Sequence, residues 1–250
     1  MALLNNEIHP GLIILTLAAG LLPVLFWLWF WLKEDALRPE PKRLIIRIFI
    51  LGAAAVAAAY VLESTLVDIP KVLAGNDLFW PVMALSAIEE VLKLGVVCLA
   101  TLGSPYFDEP VDAMIYMITA ALGFAAVENT LFMLSSLSGN GGTGWGFLLT
   151  GNFRFLGATI VHVVASSVVG GMIGLAFYYG KFARLVYAIL GLEVAILLHA
   201  LFNYFIIKSA GGQVFQIFIL LWFAALLIIL FFEKVKNNTL EFKTNKFTPS

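Results

Sequence analysis

Charge is what this 250-residue chain has least of: Lys, Arg, Asp and Glu make up 12% of it, against 61% hydrophobic residues, and its mean hydropathy is +0.96. Soluble domains carry roughly 25% charged and 45–50% apolar residues, so the composition excludes a soluble fold and reads as a polytopic integral membrane protein. A net charge of −1 supplies no basic surface for a nucleic-acid partner. There is one cysteine, Cys98, so no internal disulfide can form; its apolar surroundings read as a small core position. The first ten residues lack a basic leader, and the apolar run 11–32 is too long for a signal-peptide core, so it is expected to be a retained span. No internal repeat is present, and no low-complexity segment exceeds one glycine-rich turn. Nothing is left over to fold as a separate soluble unit. The expectation is a single membrane domain, 1–250, with a cytoplasmic tail at 233–250.

What the chain has in quantity is long apolar runs. A span needs about 20 such residues, and seven are found, at roughly 11–32, 44–64, 78–102, 112–137, 154–179, 185–207 and 213–232. Breaks separate them: Arg38-Pro39-Glu40-Pro41-Lys42-Arg43, Gly103-Ser104-Pro105, the glycine-rich 139–144, and Gly211-Gly212. The predicted fold is therefore an all-α integral membrane bundle of about seven transmembrane helices with a polar cavity between them. Basic residues set its orientation. Lys33, Arg38, Lys42, Arg43, Arg47, Lys181, Arg184, Lys234, Lys236, Lys243 and Lys246 fall on one side, and only Lys71, Arg154 and Lys208 on the other. This bias predicts the N-terminus outside and the C-terminus in the cytoplasm, which an odd number of spans satisfies.

Against this background six ionisable side chains stand inside the spans: Glu89, Glu90, Lys93, Glu128, His162 and His199, with Asn129 and Asn203 close by. A charge at the bilayer centre costs roughly 2.5–3.5 kcal/mol on the most lenient scale, so such residues face a protein interior and mark function by default. At 1.5 Å per residue, Glu89, Glu128, His162 and His199 all fall roughly 12–17 Å below the outer surface. Four polar positions on four helices at one depth point to one converging site. Glu89 and Glu90 stand four and three residues before Lys93, so either can neutralise it. Two adjacent carboxylates resist ionising together, which suits Glu89 as a general base. His199 and Asn203, at i and i+4, can together donate to a developing oxyanion, or hold a water or a metal.

These residues form an ordered set. Ala87-Ile88-Glu89-Glu90-Val91-Leu92-Lys93 resembles the EExxK motif of the PrsW family of intramembrane proteases. Gly123-Phe124-Ala125-Ala126-Val127-Glu128-Asn129 is similar to the second motif of that family, Arg154 and His162 with Gly170, Gly171 and Gly174 to the third, and His199-Ala200-Leu201-Phe202-Asn203 to the fourth, HxxxN. The resemblance covers about residues 85–205. It implies a helical membrane core and a cavity lined by the four motifs, with a glutamate-activated water cutting a peptide bond. By the same resemblance the substrate is a single-span, membrane-anchored protein of the anti-sigma-factor kind, cut in a site-1 type cleavage. The wider group includes the type II CAAX prenyl endopeptidases. The second motif often continues to a tyrosine; here that position is Phe132, which has no hydroxyl to offer.

The expected catalytic set is Glu89, Glu90, Glu128, His162, His199 and Asn203, with Glu90 the partner of Lys93. No cofactor is required, but zinc is possible, with Glu128, His162 and His199 as candidate ligands although no HExxH helix is present. Asn129 is read as a helix bridge, Arg154 as a snorkelling or mouth residue, Glu193 as the partner of a neighbouring span, and Glu63 and Asp68 as solvated. Trp27, Trp29 and Trp31 at one end, with Trp80 and Trp145 at the other, read as interfacial belts. Two rivals of other classes are a proton-coupled transporter and a scaffold without catalysis. The partners expected are the lipid bilayer and the substrate; oligomeric state is left open.

Overall fold

A computed structural model describes residues 10–35, 38–66, 77–101, 103–138, 145–209 and 212–247. They form seven helices: α1 (Pro10–Glu34), α2 (Lys42–Leu66), α3 (Phe79–Thr101), α4 (Pro110–Ser138), α5 (Trp145–Leu175), α6 (Lys181–Lys208) and α7 (Val214–Phe247). No strand occurs among the described residues. Six of the seven are long and apolar enough to cross a membrane; α3 is the exception, because Glu89, Glu90 and Lys93 all lie within it. The chain is a multi-pass helical membrane protein.

Three boundaries differ from the sequence reading. α5 starts at Trp145, ahead of residue 154, and residues 176–179 form the turn into α6 rather than the end of a span. α7 continues as helix to Phe247 through most of what was expected as a tail. Helix starts follow local rules. Pro110 takes the first position of α4, where a missing N–H costs nothing. Asp112 then accepts the backbone N–H groups of Asp108 and Glu109 at 2.9 and 2.6 Å. Asp77 accepts the N–H of Phe79 at 2.9 Å and so fixes the start of α3.

α4 is the central helix. Every residue from Val111 to Ala126 is buried, as expected of a helix that is apolar all round. Its neighbours approach by using glycine. A β-carbon on Gly123 would sit 2.1 Å from the Phe49 carbonyl oxygen, and one on Gly52 2.3 Å from that of Ala120. The α2 and α4 backbones are thus in direct contact, the close crossing that small residues permit between membrane helices. The outer surfaces carry side chains suited to lipid, such as Leu22 on α1, Leu99 on α3, Phe182 on α6 and Leu220 on α7.

Two residues depart from their expected surroundings. Cys98 is exposed on the outer side of α3, next to the buried Val97, and is not a core residue. Trp31 is buried against Phe232, with ring centroids 5.3 Å apart, whereas Trp29 and Trp80 are exposed as belt residues would be. The side chain of Trp145 lies outside the described set.

Candidate active site

α3 turns one stripe inward: Val82, Ser86, Glu89, Glu90, Lys93, Val97 and Ala100 are all buried. Lys93 is at its centre and fully enclosed. Its ammonium donates to Glu90 Oε1 at 2.7 Å, to His162 Nδ1 at 2.8 Å and, more weakly, to Glu89 Oε2 at 3.4 Å. These three contacts use all three of its protons. The Phe124 ring of α4 closes the remaining side, with the nitrogen 4.5 Å from its centroid.

Glu90 is also fully buried and fully engaged. Oε1 accepts from Lys93 and meets His199 Nδ1 at 2.9 Å, and Oε2 accepts from the Ser166 hydroxyl at 2.9 Å. Glu90 therefore ties α3 to both α5 and α6. The bond to Glu90 places the His199 proton on Nδ1 and leaves the Nε2 lone pair facing Glu89 Oε2, 3.8 Å away. His162 is set the opposite way. Its Nε2 donates to Glu128 Oε2 at 2.6 Å, so Nδ1 carries the lone pair, bonded to Lys93 and 3.8 Å from the same Glu89 oxygen. The two imidazoles stand perpendicular with centroids 4.8 Å apart. A carboxylate bonded to each histidine fixes its tautomer and orientation, as carboxylates do for histidines that bind metals.

A cavity of about 230 Å³ lies over this cluster. Glu89 and Glu128 reach it; the imidazoles, each about 1% exposed, lie behind them. Glu128 is the more accessible of the two carboxylates, with 43% of its side chain exposed. Val82 of α3, Phe132 of α4, and Asn203 and Ile206 of α6 form walls, and all belong to the same end of the bundle. The cavity therefore reaches toward the face where α3 starts and α6 ends.

Glu89, Glu90, Glu128, His162 and His199 are thus brought together, and Asn203 lies on the cavity wall. Glu128, one of the three candidate zinc ligands, is the partner of His162; the group whose donor atoms lie within 4.8 Å of one another is Glu89, His162 and His199. Asn129 donates to the Thr159 hydroxyl at 3.0 Å and bridges α4 to α5. Glu193 is exposed on α6, away from the site. Asp68 and Lys71 lie outside the described residues, as does the side chain of Arg154. Sequence reasoning missed three participants. Ser166 stands one turn beyond His162 and could have been found by i, i+4 spacing. Phe124 was hidden among apolar neighbours. Glu63, read as solvated, is half-buried and lines the cavity.

Comparison with known proteins bears on the family of the chain. Residues 40–231 match the family model described as PrsW family intramembrane metalloprotease. The chain is 26% identical over 217 residues to Protease PrsW of Bacillus subtilis (strain 168), covering 84% of this chain and 92% of that one. It is 27% identical over 217 residues to Protease PrsW of Geobacillus kaustophilus (strain HTA426), covering 84% and 88%. With the protein of that name from Shouchella clausii (strain KSM-K16) it shares 27% over 233 residues, covering 92% and 97%. No solved structure matches the chain significantly.

Proposed function

This chain belongs to the PrsW family and is a membrane-embedded peptidase, and we propose that it cuts one peptide bond of a single-span membrane protein with water activated by Glu89. The observation that carries this reading is the meeting of Glu89, His162 and His199 at the base of one cavity within the bundle. Glu89 Oε2 is 3.8 Å from a nitrogen on each ring, the lone pair of His199 Nε2 and the His162 Nδ1 that already accepts from Lys93. That is too long for a direct hydrogen bond and leaves room for a bridging atom. A water held there faces the cavity, and Glu89 takes its proton as it attacks the scissile carbonyl. Asn203, on the wall, offers an amide N–H to the oxyanion that develops. Glu90 and Glu128 hold the two imidazoles in register. The proposed substrate is a membrane-anchored regulator of the anti-sigma-factor kind. The proposed setting is the cell membrane, with the N-terminus outside, the C-terminus in the cytoplasm and the cavity toward the outer face.

The same residues fit a divalent metal. One carboxylate and two imidazoles are a donor set suited to zinc. When ionised, Glu89, Glu90 and Glu128 set three negative charges against the one positive charge of Lys93, an excess that a divalent cation would offset. Glu89, His162 and His199 would hold it, competing with Lys93 for the His162 Nδ1 lone pair. Bound there, it would supply Lewis-acid polarisation of the water and the carbonyl. Glu128 would then be the carboxylate left to accept the proton.

The test is Glu89→Gln in the full chain, co-expressed with a single-span reporter substrate. Cleavage should fall at least about 100-fold, the lower end of general acid–base contributions. Unchanged cleavage would remove Glu89 from the mechanism. Chelation of the purified wild type separates the two versions. Activity lost to chelator and restored by zinc assigns the metal; activity that survives complete metal removal assigns the glutamate and water alone.

A further inference from the structure

Glu63 lines the peptidase cavity and has no place in the mechanism above. It stands three residues before the end of α2 and is half-buried there. Counted from the α2–α4 crossing, where Gly52 meets Ala120, Glu63 lies eleven positions on and Glu128 eight, about 16 Å and about 12 Å at 1.5 Å per residue. Glu63 is therefore about one turn nearer the cavity mouth than Glu128. No hydrogen bond or salt bridge joins it to another described residue. Its neighbours on the same turn look elsewhere: the Ser64 hydroxyl donates to the Val61 carbonyl at 2.9 Å, and that of Thr65 to the Val61 and Leu62 carbonyls at 3.0 Å. The other two carboxylates of the cavity are engaged, Glu89 with Lys93 and Glu128 with His162. Glu63 is the acceptor left over.

The cavity wall has one sign. Glu63, Glu89 and Glu128 line it together with the amides of Asn129 and Asn203, and among the described residues no basic side chain does so. Lys93 is fully enclosed behind the wall, with its three protons in use. Lys208, next to the lining Ile207, is bonded to the Tyr204 hydroxyl at 2.9 Å. At about 230 Å³ the cavity is smaller than ordinary ligand pockets of about 300–1,000 Å³. It admits only a short stretch of substrate, and a side chain entering from the mouth passes Glu63 first. A half-buried carboxylate without a donor is unfavourable. A cation brought by the substrate removes that cost, and an acidic side chain raises it.

We propose that Glu63 sets substrate specificity: it accepts a hydrogen bond from a basic side chain, Lys or Arg, of a substrate residue flanking the bond that is cut. The assignment rests on the peptidase reading above and adds to it the charge of the preferred substrate. Complementary charge draws a basic segment in, while Glu63 and Glu128 repel an acidic one, so attraction and exclusion act together. Glu63 meets the substrate at the mouth and takes no part in proton transfer. Its role is the same whether the water is activated by Glu89 alone or on a metal.

The full chain in detergent is given a single-span reporter in three versions, with Lys, Gln or Glu placed in turn at positions flanking the cut bond, which is mapped by mass spectrometry of the fragments. The readout is kcat/KM of the Lys and Glu versions relative to the Gln version, so that a general loss in any variant cancels. At one flanking position wild type should cut the Lys version about tenfold or more faster than the Gln version, as a hydrogen bond between charged groups supplies, and the Glu version slowest. Glu63→Gln should bring both ratios close to one, and Glu63→Lys should favour the Glu version. The isosteric Glu63→Gln decides alone if Glu63→Lys does not fold. A purely structural Glu63 would lower all three rates together and leave the ratios at their wild-type values, which would overturn the proposal. Equal cleavage of the three versions by wild type, or a Glu63→Lys variant that still prefers the Lys version, would overturn it too. A wild type that cuts no single-span reporter would instead overturn the substrate reading itself, and this assignment with it.

Discussion

Lys93→Met is the perturbation whose magnitude can be worked most directly. Methionine keeps nearly the length of the lysine stem and removes the ammonium. Three acceptors lose a donor together: Glu90 Oε1, His162 Nδ1 and Glu89 Oε2. Glu90 retains Ser166 and His199, so its loss is charge balance rather than all of its hydrogen bonds. Glu89 and Glu90 remain side by side in the interior with no cation between them. Removing one partner of a buried ion pair costs about 3–5 kcal/mol, and chains of this length lose roughly 2–4 °C of Tm per kcal/mol. Thermal unfolding in mild detergent should therefore fall by about 6–20 °C. The cycle with Glu90→Gln tests the cause. If the cost is the stranded charge, the double variant should be more stable than the two single losses predict, with a coupling of about 0.5–3 kcal/mol as for neighbours in one network. A Lys93→Met loss below about 1 kcal/mol, or strict additivity, would refute the view that this ammonium holds the polar core together, since even a neutral buried hydrogen bond contributes about that much.

The α2–α4 crossing makes a second prediction. Gly123→Ala places a methyl 2.1 Å from the Phe49 carbonyl and should destabilise by about 1–3 kcal/mol, as overpacking does. Gly95→Ala, where an added β-carbon meets nothing within 4 Å, should leave the unfolding midpoint unchanged or slightly raised; equal effects would show that the crossing is not close-packed. For orientation, a topology reporter inserted at 139–145 should signal from outside the cell. A cytoplasmic signal would invert the chain and put the cavity mouth in the inner leaflet.

The helices were legible because each is an apolar run of spanning length, and their ends were less so for an identifiable reason. The last run ends at Glu233-Lys234, which ends a membrane span but not a helix. No glycine or proline occurs between Gln213 and Phe247, so nothing stops α7 there. The start of α5 was hidden by the opposite error. The glycine-rich 139–144 reads as a break, which starts the span at 154, yet the segment from Trp145 is helical. Trp31 and Cys98 were misplaced because composition near a span end does not say which side of the helix meets a neighbour. Glu63 was misplaced in the same way: a charge near a span end is ordinarily solvated, and here the helix turns it toward the cavity.

The site was legible to the level of depth, since counting along four helices put four polar residues in one layer. It was less legible at the level of rotation, and the pair Glu89–Glu90 shows why. Consecutive residues on a helix are about 100° apart, so one can line a cavity while the other is enclosed. Which does which depends on the setting of α3. The sequence carries part of that setting: Val91, Cys98 and Leu99 form its exposed side. Opposite them runs the stripe of Ser86, Glu90, Lys93 and Val97, at helical spacing, and Glu90 falls on its midline. A carboxylate on the midline is surrounded by protein and must have every lone pair satisfied, which is what Lys93, His199 and Ser166 do. A carboxylate on the edge, as Glu89 is, keeps some access to space not filled by protein. The enclosed residue is thereby suited to hold a geometry and the edge residue to react. That division follows from helix rotation alone, before any distance is measured.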